Sequence, residues 1–178
     1  SNIIIPLDIN RHWGNVISYK YKEKSFKKKK SICFWRGTTT GEEFRKGNRF
    51  DLIKRWFKKC DIIDVGFSFI CQDKINFDKY VLGKCSIKEM LNYKYLISVE
   101  GNDVATNLKW CLYSNSLVLM PKPTIVSWFM EDHLEPDIHY ILIKDDWSNL
   151  KEKIIWCENN QEKCLQIIKN ANAYVQRF

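Results

Sequence analysis

Residues 95–120, YLISVEGNDVATNLKWCLYSNSLVLM, leave a chain like this little choice of fold. The stretch opens with Tyr95, Leu96, Ile97, Ser98 and Val99, an apolar run of the length and type of a buried strand. A polar, turn-forming knot follows, Glu100-Gly101-Asn102-Asp103. Then Val104, Leu108, Cys111 and Leu112 fall at i, i+4, i+7 and i+8, the stripe of a helix packed on one side. A second apolar run over 116–120 closes the unit, stopped by Pro121 and Pro123. Strand, tight loop, helix, strand is a parallel crossover. The loop leaving its first strand then lies at the carboxyl edge of the sheet, where open α/β folds place their ligands. A helix starting there would turn unpaired N–H groups toward a phosphate.

The flanking sequence repeats this grammar. A strand is expected at 31–35 and a helix carrying Phe50, Leu52, Ile53, Trp56 and Phe57. A strand at 62–69 follows, then an irregular stretch at 71–84. Ser86-Ile87-Lys88-Glu89 has the form of a capping box. Downstream, Thr124 reads as the cap of a helix bearing Ile125, Trp128 and Phe129, and 138–143 as the next strand. Two helices complete the pattern, one with Leu150, Ile154 and Cys157, the other with Cys164, Ile167, Ile168, Ala171 and Val175. Five strands alternating with helices predict an α/β fold, a Rossmann-like parallel sheet with helices on both faces. The expected division is an apolar opening and basic lead-in over 1–30 and a Rossmann-like domain over 31–178.

Charge narrows the partners. The chain has 178 residues and a net charge of +8, with seven lysines packed into residues 20–30. That run reads mainly as a solvated loop, and as a contact for an anionic membrane surface in the functional alternative. A basic surface also suits nucleotide phosphates or nucleic acid. Seven cysteines, an odd number with no two-residue spacing, argue against a zinc knuckle or redox motif and for a reducing compartment. Cys33, Cys111, Cys157 and Cys164 fall on apolar faces, where a thiol acts as a small hydrophobe. No apolar run is long enough to span a membrane.

The candidate chemistry sits in two loops. After the first strand, Arg36-Gly37-Thr38-Thr39-Thr40-Gly41 supplies glycines for close backbone approach, hydroxyls, and a guanidinium fork suited to phosphate. It is not a Walker A loop, having no terminal Gly-Lys-Ser/Thr. Arg45, Lys46 and Arg49 follow at the start of a helix, where cations oppose the helix dipole unless an anion lies between them. After the central strand, Glu100, Gly101 and Asn102 stand on the ligand edge. Asn102 or Asp103 suffices as a helix cap, which leaves Glu100 unexplained by capping. Lys109 lies on the same helix, within reach of a phosphate or in solvent. Residues 64–68 lack the further glycines of a methyltransferase loop, and Phe67 and Phe69 read as core. His12, His133 and His139 have neither metal spacing nor a paired nucleophile.

Phe34-Trp35-Arg36-Gly37 with its threonine loop, the Glu100-Gly101-Asn102 knot, Leu108-Lys109, residues 114–119 and His139-Tyr140 together resemble glycosyltransferase family 90. This CAP10-like group includes bacterial lipopolysaccharide-modifying transferases, fungal capsule xylosyltransferases and eukaryotic protein O-glucosyltransferases. The basic lead-in at 26–31 is also similar. Residues 104–110 look most like the bacterial branch.

The resemblance implies the C-terminal, donor-binding half of a GT-B fold that needs no metal. It implies inverting transfer of glucose, xylose or a related sugar from a UDP donor to a hydroxyl acceptor in lipopolysaccharide or surface-glycan synthesis. Carried over residue by residue, Arg36, Gly37, Thr38, Thr40 and Arg49 would serve the diphosphate. Glu100, Gly101 and Asn102 would line the donor pocket, with Lys109 near it. Asn107 stands where many members have arginine. The resemblance further implies an N-terminal half that holds the general base and much of the acceptor site, and no carboxylate here is assigned as that base. The expected partners are a nucleotide sugar and a glycan or lipid-linked acceptor, with no nucleic acid. The expected place is the cytoplasm, peripheral to the inner face of the membrane. The competing reading is a non-catalytic basic α/β module that binds nucleic acid or an acidic partner.

Overall fold

The computed structural model describes Gly14 and residues 23–72 and 74–178; the apolar opening, Arg11, His12, Trp13, Lys20 and Lys22 lie outside the described residues. Five strands, β1 (Lys30–Gly37), β2 (Ile63–Phe67), β3 (Tyr93–Ile97), β4 (Leu117–Met120) and β5 (Ile141–Leu142), form one sheet in the order β2-β1-β3-β4-β5. Every pairing is parallel. Parallel strands need crossovers, and these put helices on both faces, so the strands must be apolar on both sides. Alternation does this: Cys33, Trp35, Tyr95, Ile97, Leu117 and Leu119 enter one core layer. Phe34, Leu96, Val118 and Met120 enter the other.

The helices are α1 (Arg49–Trp56), α2 (Ile87–Met90), α3 (Leu108–Tyr113), α4 (Leu150–Asn159) and α5 (Gln161–Val175). Helix α1 covers the first face with Phe50, Leu52 and Ile53, and α4 joins it with Leu150, Ile154 and Cys157. On the opposite face α3 packs Leu108, Cys111 and Leu112. Helix α5 belongs to both layers, beginning with Cys164, Ile167 and Ile168 on one and ending with Ala171, Tyr174 and Val175 on the other. The three-layer Rossmann-like arrangement is therefore as the sequence predicts. All seven cysteines are free, and the four expected on apolar faces are buried.

Several local expectations are corrected. The central helix begins at Leu108, four residues later than its apolar stripe suggests. Residues 101–107 turn instead, and Asn107 reaches back to the end of β3, donating to the Ile97 carbonyl and accepting from Ser98 Oγ. A helix this short offers no N-terminal phosphate seat. Thr124 caps no helix: the segment after β4 holds only a 3-10 turn, Glu131–His133. Strand β5 has two residues, and 71–84 contains a 3-10 turn, Ile75–Tyr80. Phe69 is 44% exposed, not core. The capping box at Ser86 and Glu89 is present as expected.

The lysine run also divides. Lys29 is buried in an ion pair with Glu23 and donates to Ser116 Oγ at 2.6 Å, while Lys27 pairs with Glu162 at the surface. No helix among the described residues is long and apolar enough to cross a membrane. Helix α1 leaves β1 toward one face and α3 leaves the adjacent β3 toward the other, both from the carboxyl edge. That is the switch point of the sheet, the position that makes a crevice in folds of this order.

Candidate functional site

Helix α1 starts where it does because Asn48 caps it, its Oδ1 accepting the Asp51 N–H at 2.8 Å. The Asn48 amide also donates to the carbonyls of Glu43 and Arg45, which folds the loop after β1 back on itself. This sets Arg49, the first residue of the helix, beneath the loops after both β1 and β3. Its Nε donates to the Glu100 carbonyl at 3.1 Å and its Nη2 to the Val99 carbonyl at 3.1 Å. Nη1 donates to the Thr38 carbonyl at 3.1 Å and to Thr40 Oγ1 at 2.6 Å. The guanidinium lies 5.7 Å from the centre of the Trp35 ring. None of these partners is an anion, and no carboxylate among the described residues pairs with Arg49. Burial pushes its pKa down to about 10, so it stays charged at neutral pH.

The two loops touch through glycines. Gly41 has φ +96°, and a Cβ there would come 3.1 Å from the Gly101 carbonyl. A Cβ on Gly101 would lie 2.6 Å from Thr40 Oγ1 and 2.8 Å from Arg49 Nη2. Side chains at either position would force the loops apart. Asn102 completes the seam by accepting the Gly41 N–H at 2.8 Å, and Arg45 donates to the Gly101 carbonyl at 3.0 Å. Gly37, Thr38, Thr40, Arg49, Gly101 and Asn102 are thus gathered at the switch point.

The other three predicted residues are placed differently. Glu100 spends its carboxylate on the loop after β4: Oε1 accepts the N–H groups of Thr124 and Ile125, and Oε2 accepts the Thr124 hydroxyl. Arg36 turns to the neighbouring strand, paired with Asp64 Oδ1 at 2.6 Å and lying 4.5 Å over the Phe34 ring. Lys109 is 7% exposed, its ammonium 5.0 Å from the Trp128 ring and 5.5 Å from that of Phe129. Burial lowers its pKa, against the opposing pull of Glu131 and Asp103.

Beside the seam opens a cleft enclosing about 410 Å³ of empty space, part of it open to solvent. Val99, Ala105, Leu108, Met120 and Pro121 give it apolar walls, while Ser98, Glu100 and Thr124 add polar groups. Lys46 and Lys122 stand on its rim, and Glu131 lines it. Glu131 is bound by Ser127, accepting both its N–H and its hydroxyl. Sequence reasoning passed over Gly47 and Lys122 and read Thr124 only as a helix cap. The available signals were the glycine just before the Asn48 cap and the Pro121-Lys122-Pro123 punctuation after β4. Among the described residues no group of three or more His, Cys, Asp or Glu side chains gathers to hold a metal ion.

The family model for glycosyl transferase family 90 matches residues 10–178. The chain belongs to glycosyltransferase family 90. It is 35% identical over 177 residues to O-glucosyltransferase LpsA of Dichelobacter nodosus, covering 99% of this chain and 51% of that protein. It is 30% identical over 143 residues to human protein O-glucosyltransferase 3, covering 77% of this chain and 26% of the relative. Human protein O-glucosyltransferase 1 is 26% identical over 156 residues, with 85% and 38% covered. The chain spans about half the length of the Dichelobacter nodosus protein and less of the human ones.

Proposed function

We propose that this chain is the donor-binding half of a GT-B glycosyltransferase. It would take a sugar of the glucose or xylose type from UDP and pass it to a hydroxyl of a glycan or lipid-linked acceptor in surface-glycan synthesis. The observation that carries the reading is the meeting of the loops after β1 and β3 over Arg49, a half-buried cation with no carboxylate beside it among the described residues. A fixed positive charge in the seam beside an apolar-walled cleft suits a nucleoside diphosphate. In the transfer the acceptor oxygen attacks the anomeric carbon from the face opposite UDP. The bond from that carbon to the diphosphate oxygen breaks, its electron pair leaves with UDP, and the configuration inverts. Preorganised cations lower this barrier by meeting charge as it develops on the leaving group. The acceptor proton passes to a base that we assign to the other half of the whole protein. The reading uses no metal.

Within it, Gly37, Thr38, Thr40, Gly101 and Asn102 form the backbone cradle and Arg49 its charged base. Glu100 fixes the outer wall by holding Thr124, while Arg36 and Lys109 support the site from outside the cleft. Exposed Lys24 and Lys28 would favour work at an anionic inner leaflet from the cytoplasmic side. Calorimetric titration of the chain with UDP, ADP and GDP at two salt concentrations tests the reading. Uridine-selective binding supports it. Equal, weak binding of all three that fades with salt would overturn it in favour of a basic binding module.

A further inference from the structure

We propose that Lys46 and Lys122 grip the diphosphate directly, closing on it from the loops after β1 and β4; this rests on the donor-site reading above. The guanidinium of Arg49 is committed to backbone carbonyls and Thr40, and that of Arg36 to Asp64 and two carbonyls. Neither fork is left open to chelate a ligand. The cations that line the cleft are Lys46 and Lys122, both exposed and neither hydrogen-bonded nor ion-paired to any described residue.

Their placement follows from one close packing. Gly47 adopts φ +67°, and a Cβ on it would come 3.0 Å from the Pro121 ring. The loop after β1 therefore lies directly on the start of the loop after β4, tied down by the Gly47 N–H to the Asp145 carbonyl at 3.2 Å. Lys46 and Lys122 each stand one residue from that contact. Two flexible ammonium groups are thus brought to one stretch of rim, over apolar walls.

The carboxylates of the cleft do not compete for them. Glu100 is occupied by Thr124 and Ile125, and Glu131 by Ser127. Asp145 lies outside the lining. Lysine ammonium groups grip phosphate as point charges and need no fixed fork geometry, which suits a diphosphate whose two groups differ in position. The ligand class is accordingly a nucleotide with at least two phosphates.

The test is titration of the unaltered chain, of Lys46→Ala/Lys122→Ala, and of a control double variant, Lys151→Ala/Lys169→Ala. The control removes the same charge from exposed positions on α4 and α5. UDP, UMP and uridine are the probes, with circular dichroism as the check on folding. The expected result is a loss of roughly ten- to a hundredfold in UDP affinity for the rim variant, smaller for UMP and absent for uridine. The control should keep its affinity for UDP. Unchanged UDP affinity in the rim variant, or an equal loss in the control, overturns the grip while uridine selectivity of the unaltered chain leaves the donor-site reading standing. No UDP binding by the unaltered chain overturns both.

Discussion

Arg49 joins two strand-end loops through hydrogen bonds from all three guanidinium nitrogens and has no counterion among the described residues, so its removal strands their acceptors. Arg49→Met is expected to lower unfolding stability by about 2–4 kcal/mol in urea titration, because each unmet buried group costs about 1–3 kcal/mol. Gly101→Ala should act on the same seam, since its new methyl would overlap Thr40 Oγ1 and Arg49 Nη2. A loss of about 1–3 kcal/mol is expected, the usual cost of overpacking, with little change in helix content by circular dichroism. Arg49 was legible as a special residue because a cation on a first helical turn opposes the dipole. The partner of Arg36 was not. Asp64 reaches it only because β1 and β2 align Arg36 with Gly66, and register between strands far apart in sequence leaves no local trace.

At the scale of elements, the segment after β4 shows a loop, held by one carboxylate, where the sequence pattern reads as helix. Residues 124–129 have a helical pattern, yet Glu100 draws the N–H groups of Thr124 and Ile125 to itself, and Pro121 and Pro123 fix the approach. Glu100→Ala should free this segment, raising amide exchange at Thr124 and Ile125 while the sheet amides stay protected. The same logic explains the late start of α3, where Asn107 prefers the end of β3 to capping the helix. The strands themselves, and the apolar faces of α1, α4 and α5, were legible because period and burial agree there. Farther along, His139 Nδ1 accepts the Glu135 N–H at 3.0 Å, and a protonated imidazole cannot. Burial and Arg177 lower its pKa from the usual 6.5, with Glu135 opposing and the Tyr174 ring packed against it. Between the folded and unfolded values the unfolded chain binds more protons, so this contribution to stability falls as pH drops below about 6.5. The urea midpoint should decline through that window, and His139→Gln should flatten the decline.

Across the whole molecule, the amino edge of the sheet is locked by charge buried out of water. Lys29 and Glu23 pair there, Glu23 also accepts the Asn115 N–H at 2.9 Å, and Ser116 Oγ joins Lys29 to the Tyr93 carbonyl. Lys29→Met would leave Glu23 buried without its partner, and a loss of about 3–5 kcal/mol is expected in chemical denaturation. The sequence hid this, since a lysine inside a lysine run gives no sign that it, unlike the other described lysines of the run, turns inward. The carboxyl edge, by contrast, was readable from its two glycine loops, because close backbone approach demands glycine wherever it occurs. Helix α5 has a different kind of consequence. It supplies Cys164, Ile167 and Ile168 to one core layer and Ala171, Tyr174 and Val175 to the other. During synthesis, therefore, the first layer cannot be sealed until Ile168, nor the second until Val175, has left the ribosome. Both sides of the sheet wait on one helix, α5, before they are dry.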